Sequence, residues 1–156
     1  MSNMQTLHKV VELATRRRDD ALTVLGQAKR ELHMAQEQLT QLKTYADEAH
    51  QRWATRTSTS GVDAALLHHH RQFMQKIEHA MDFQLAVQRN REDSVERAQA
   101  QVYAAERDVA GLRKYADRKQ QAIDHRTLRQ EQKATDEMAL TIHLRQSMAH
   151  AQGLRS

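Results

Sequence analysis

The sequence predicts an all-α fold: a long antiparallel two-helix coiled-coil hairpin with a helical C-terminal extension. Three observations carry that expectation. The first is a run of fifteen positions spaced alternately three and four residues apart: Met4, Leu7, Val11, Ala14, Arg18, Ala21, Leu25, Ala28, Leu32, Ala35, Leu39, Leu42, Ala46, Ala49 and Trp53. All but Arg18 are apolar, and a mean spacing of about 3.5 residues is the seam of a coiled coil, a stripe that must lie against a partner helix. The second is composition: no Pro, four Gly and 4% aromatic residues in 156, with Ala, Gln, Arg, Leu and Glu, all good helix formers, in excess. The third is the scarcity of turn signals, because a globular domain of this length would need turn residues and bulky apolar side chains for a core several layers thick. With 39% hydrophobic and 28% charged residues, this chain can bury a narrow seam and little more.

The first helix is expected over about residues 4–56, roughly 80 Å at about 1.5 Å per residue. Gly26 inside it costs about 1 kcal/mol relative to Ala and is tolerated where Leu25 and Ala28 pack. The run Thr57-Ser58-Thr59-Ser60-Gly61 then breaks the pattern, since small hydroxyl residues compete for backbone hydrogen bonds and Gly accepts a left-handed turn. The loop is placed at about 57–63, with Asp63 as the N-cap of a second helix starting near Ala64.

That helix, expected over about 64–125, carries two seam phases. Leu66, Phe73, Ile77, Ala80 and Val87 form one; Val95, Ala98, Val102, Ala105, Val109, Leu112, Ala116 and Ile123 form the other. Passing from Val87 through Arg91 to Val95 takes two steps of four in succession, a stutter that locally unwinds a supercoil. A loop near residue 60 folds the helices antiparallel, so positions pair when their numbers sum to about 120. Leu39 then lies near Ala80, Leu25 near Val95 and Val11 near Val109. A weaker helical tail over about 126–152 holds Leu128, Met138, Ile142 and Leu144 among Gln, Arg and Lys, and it outruns its partner helix. The whole of 1–156 reads as one coiled-coil domain.

Several kinds of chemistry lack their residues. Convergent metal ligands on a helix need spacings of three or four, and no two of the ten histidines are so spaced; His68-His69-His70 diverge around the axis. There is no Gly-rich phosphate loop and no Gly-flanked nucleophilic Ser. Asp19-Asp20 and Asp136-Glu137 are chain neighbours that point apart. Catalysis, cofactor and metal are therefore not expected. Zero Cys fits a reducing compartment, and no segment approaches the roughly 18 apolar residues of a membrane span or an apolar signal core. The expected location is the cytoplasm.

Charge is more informative. Residues 9–30 hold six basic residues against three acidic, and 107–133 hold eight against four. In the hairpin these stretches share the termini end, which suits a negatively lined partner. The candidates there are Arg16, Arg17, Arg18, Arg113, Lys114, Arg118 and Lys119. Nucleic acid is not the expected partner, because Tyr103 and Tyr115 are the only stacking aromatics at that end. Tyr45, Trp53, Phe73, Ile77 and Phe83 gather instead midway along the hairpin and toward its loop. Tyr45 and Phe73 flank the seam and stay partly exposed, as partner-binding aromatics on a coiled coil do.

Residues 7–21 (LHKVVELATRRRDDA), 37–45 (EQLTQLKTY), Gly61, 72–80 (QFMQKIEHA) and 129–139 (RQEQKATDEMA) resemble, in order and spacing, the FliJ family of flagellar type III export, with YscO as its injectisome relative. The resemblance covers nearly the whole chain. It implies a non-enzymatic stalk, similar to the central stalk of rotary ATP synthases, that inserts into a hexameric export ATPase ring. It further implies contacts with the transmembrane export gate and with export chaperones for late substrates. Such a protein is cytoplasmic and peripherally associated with the inner-membrane export apparatus. By position, the family's export-gate patch maps to Gln38, Leu42, Tyr45, Phe73, Ile77, Ala80 and Gln84, with Ala49 where a Tyr is common and Gln84 where a His can occur. The basic termini end is the natural ATPase-ring candidate. The alternative function is a general export chaperone or adaptor that binds substrates or their chaperones.

Overall fold

The computed structural model describes residues 3–155. Among them there are two helices, α1 (Asn3–Ser60) and α2 (Ala64–Arg155), joined by Gly61, Val62 and Asp63. The connection is shorter than the hydroxyl run suggests. Thr57, Ser58 and Thr59 stay helical because their hydroxyls donate to carbonyls of their own helix: Thr57 to Ala54 O at 3.0 Å, Ser58 and Thr59 to Thr55 O at 2.9 Å. This back-bonding satisfies the side chains without competing for the helix ladder.

Termination falls to Gly61, whose φ of 73° is the left-handed conformation that ends helices at no side-chain cost. Asp63 then caps α2: its Oδ1 accepts from the Ala65 N–H at 2.6 Å and the Leu66 N–H at 3.1 Å, and its carbonyl accepts from the Leu67 N–H at 3.1 Å. The expected helical C-terminal extension is a direct continuation of α2. With no Pro, and no Gly between Gly111 and Gly153, α2 runs unbroken for 92 residues.

The helices pack as two units, one formed by Ala14–Arg107 and the other by the residues up to Leu13 with those from Asp108 on. Every one of the fifteen predicted α1 seam residues is buried or half-buried. In the first unit Leu25, Ala28, Ala98 and Val102 form the core cluster, with Ala21 and Val95 packed against it. Leu25 and Val95 thus meet as the antiparallel register requires.

At the stutter Arg91 lies half-buried and reaches across to Glu31, Nη1 to Oε2 at 3.5 Å; with both side chains substantially solvated, this pair aligns the helices more than it stabilises them. In the second unit Val109 and Ala116 are buried and Met4, Leu7, Val11 and Leu112 half-buried. Ile123, placed on the seam by its spacing, is 41% exposed. From Asp117 through Leu154 every residue of α2 is exposed.

The seam position between Ala80 and Val87 is filled by Gln84, the buried polar residue of the pairing at 8% exposure. Its amide donates to Ala35 O at 3.1 Å and to Gln38 Oε1 at 3.0 Å. A single satisfied polar residue in a coiled-coil seam fixes register at some cost in stability, because slipped or alternative pairings would strand it. Gln84→Leu should therefore raise the chemical denaturation midpoint, by about 1 kcal/mol in unfolding free energy, while adding dimeric species in sedimentation velocity. A destabilised, strictly monomeric variant would contradict this role.

Candidate functional site

The surface near the loop-side end of the Ala14–Arg107 unit concentrates the aromatic residues. Tyr45 and Phe73 meet edge to face across the two helices, ring centroids 5.8 Å apart and planes at 69°, an arrangement worth about 1 kcal/mol beyond the area it covers. Both rings remain open to solvent, Tyr45 at 47% and Phe73 at 38% exposure. The contact orients them; it does not enclose them. A shallow groove continues from this pair, lined by Ala49, Arg52, Trp53 and His70.

The Trp53 indole stacks on the His70 imidazole at 4.1 Å with planes within 4°, and His50 approaches the same imidazole edge-on at 6.2 Å. The sequence reading did not bring Arg52 and His70 to this surface. The heptad phase held the available signal, since His70 stands one seam step before Phe73 and opposite Trp53.

The seven residues of the expected export-gate patch do not share one exposure. Tyr45 and Phe73 touch and face outward, and Gln38 is exposed on α1 seven residues before Tyr45. Leu42 and Ala80 are half-buried, and Ile77 at 5% and Gln84 at 8% are buried in the seam. Packing against the opposite helix consumes the side chains of Ile77 and Gln84. Gln84 then reaches the surface only through Gln38, whose carboxamide oxygen it holds. Phe83, grouped with these aromatics from sequence, is 71% exposed.

The basic candidates fall in both units. Arg16, Arg17 and Arg18 belong to Ala14–Arg107, where Arg16 and Arg17 are exposed and the half-buried Arg18 pairs with Asp19 at 3.0 Å. Arg113, Lys114, Arg118 and Lys119 belong to the other unit, all four exposed. The Lys119 ammonium lies 5.9 Å from the Tyr115 ring centroid, a solvated cation–π contact. Among the described residues no three His, Asp or Glu side chains gather as metal ligands, and no helix is long and apolar enough to cross a membrane.

Fold and surface together define the class: an all-helical coiled-coil hairpin that presents solvent-facing aromatic and basic surfaces. The family model described as flagellar FliJ protein matches residues 4–148 of the 156, and the chain belongs to that family. It is accordingly a component of the flagellar type III export apparatus. No curated protein and no solved structure matches the chain.

Burial lowers the pKa of His70 below the usual imidazole value, and the neighbouring His50 acts in the same direction. The folded chain therefore holds His70 neutral where the unfolded chain would protonate it. The stabilisation is present above the ordinary imidazole pKa of about 6.5 and is lost as pH falls through the lower folded value. Trp53 is the only tryptophan, so its fluorescence reports directly on its stacking partner. Acid titration should give a quenching step with a midpoint below about 6.5, absent in His70→Gln; a midpoint at or above the ordinary value would refute the burial argument.

Proposed function

We propose that this protein is a non-enzymatic stalk of the flagellar export machine. Its basic surfaces dock in the hexameric export ATPase ring, and its aromatic pair touches the transmembrane export gate. The observation that carries the gate assignment is the Tyr45–Phe73 pair, two rings fixed by mutual contact yet exposed. Preorganised, partly exposed aromatics give an interface large apolar area at little ordering cost. Gln38 extends that surface as a polar contact, while Ile77 and Gln84 support it from the seam.

The ring assignment draws on the exposed cations Arg113, Lys114, Arg118 and Lys119 on one unit and Arg16, Arg17 and Arg18 on the other. Charge of this kind steers a docking partner and fixes its orientation more than it sets affinity. In this reading hydrolysis occurs on the ATPase, and the stalk couples it to export. A second reading, an adaptor that clasps export substrates or their chaperones, draws support from the uncovered stretch of α2 beyond Asp117.

Tyr45→Ala combined with Phe73→Ala should abolish flagellar export while leaving helicity and thermal midpoint nearly unchanged. Collapse of the fold would mark the pair as core rather than contact surface. Arg113, Lys114, Arg118 and Lys119 changed together to Glu should reduce both the binding of the cognate export ATPase and the salt dependence of that binding. ATPase binding and stimulation equal to those of the unaltered chain would remove the charge-docking assignment.

A further inference from the structure

The groove beside the aromatic pair carries charge that the aromatic contact does not use. Along α1 its wall runs from Tyr45 through Ala49 to Trp53 in steps of one turn, and Phe73 and His70 supply the wall from α2. Ala49, small and 8% exposed, leaves the space between the Tyr45–Phe73 pair and the Trp53–His70 stack open. Arg52 and Arg56, also one turn apart, line the same groove. A second shallow hollow, lined by Glu48, Gln51 and Thr55, shares both arginines.

The lining contains two guanidiniums and no carboxylate. On the facing helix there is no Asp or Glu from Ala64 through Ile77. On α1, Asp47 stands two residues from both Tyr45 and Ala49 and so belongs to another face. Glu48 comes no nearer to Arg52 than 4.0 Å, Nη2 to Oε2, well beyond the roughly 2.7–2.9 Å of a charge-assisted hydrogen bond. The Arg52 side chain is 70% exposed, and Arg56 is exposed. Each guanidinium stays charged and offers five donors in a fork that matches a carboxylate.

Shape and charge together select the occupant. At about 240 Å³ the groove is smaller than the roughly 300–1,000 Å³ of small-molecule sites and suits one bulky side chain. An anionic lipid surface would call for cations spread along the polar face of a helix. A hollow between aromatic rings with two arginines at its edge instead favours discrete carboxylates next to an apolar group.

We infer that this groove is a docking site for an acidic peptide segment of the partner that lies on Tyr45 and Phe73. One bulky apolar side chain of that segment seats over Ala49, and its flanking carboxylates are received by Arg52 and Arg56. The partner's identity as the export gate rests on the proposed gate contact. The arginines give the segment a direction along the rod, with its acidic part toward the loop.

The test uses the full chain, with fluorescence of the single tryptophan, Trp53, read at constant pH. The probe is a short synthetic peptide with a central Leu between Asp and Glu residues; a matched peptide with Lys in place of the acids is the comparison. The acidic peptide should change Trp53 emission saturably, bind more weakly as salt rises, and bind at least about tenfold more tightly than the Lys peptide. Arg52→Gln with Arg56→Gln should weaken that binding about tenfold or more, with helicity and thermal midpoint preserved because both side chains are exposed. The same changes should weaken capture of the detergent-solubilised export gate, and the acidic peptide should compete with that capture.

No response to the acidic peptide, equal responses to the two peptides, or indifference to the arginine changes would overturn the proposal. Arginine-dependent peptide binding without gate capture by the unaltered chain would uphold the acidic-segment site and refute the gate reading. Gate capture untouched by the arginine changes and by the peptide would do the reverse. Arginine-dependent binding to phosphatidylglycerol–phosphatidylethanolamine vesicles without peptide binding would assign the groove to lipid, and arginine-dependent dimerisation would assign it to a second copy; either overturns the proposal.

Discussion

Close antiparallel contact between two helices through small residues is the constraint on which everything else in this protein depends. Five of the seven buried residues of α1 are alanine: Ala14, Ala28, Ala35, Ala46 and Ala49. Alanine buries little area, so each contact contributes less than a leucine pair, but it lets helix axes approach toward the short end of the usual range of about 8–10 Å. Leu25, Leu39, Ile77, Val102 and Val109 supply most of the remaining buried apolar bulk. A seam this thin leaves most side chains of both helices beside it rather than within it. Function is left to side chains that stand beside the seam rather than within it.

The aromatic pair shows how that works. Tyr45 directly precedes the buried Ala46, and Phe73 lies one seam step before the buried Ile77. The pairing that buries Ala46 and Ile77 also fixes where the two rings meet, and the edge-to-face contact holds them without removing them from solvent. Gln84 contributes indirectly: by holding Ala35 and Gln38 it sets which residues of α1 lie opposite which residues of α2. A slip by one heptad step would separate Tyr45 from Phe73 and strand the Gln84 amide. Register specificity and surface construction are therefore one property.

The heptad pattern made the hairpin legible because a period of about 3.5 residues has one structural meaning when sustained over many turns. It located all fifteen α1 seam residues and the antiparallel register. It was less informative where local chemistry has two outcomes. Thr57, Ser58 and Thr59 can break a helix or bond back onto it, and only the conformation distinguishes these. Ile123 fits the seam by spacing but lies beyond the facing end of α1. Periodicity registers what a helix can bury, not whether a partner is present to bury it.

The candidate site divides along the same line. Composition and spacing alone determined that the protein is a helical hairpin, that its cations concentrate in 9–30 and 107–133, and that Tyr45 and Phe73 are its notable partly exposed aromatics. Tertiary structure decided that Gln84 belongs to the interior and that Trp53 stacks on His70. It also decided that α2 continues as one helix past Ala116, exposed from Asp117 through Leu154. The physical reason is that periodicity is a property of one helix, whereas burial, ring geometry and amide partners belong to a pair of helices. A seam residue and a residue beside it differ by a single 100° step around the axis, and only the position of the opposing helix assigns the step.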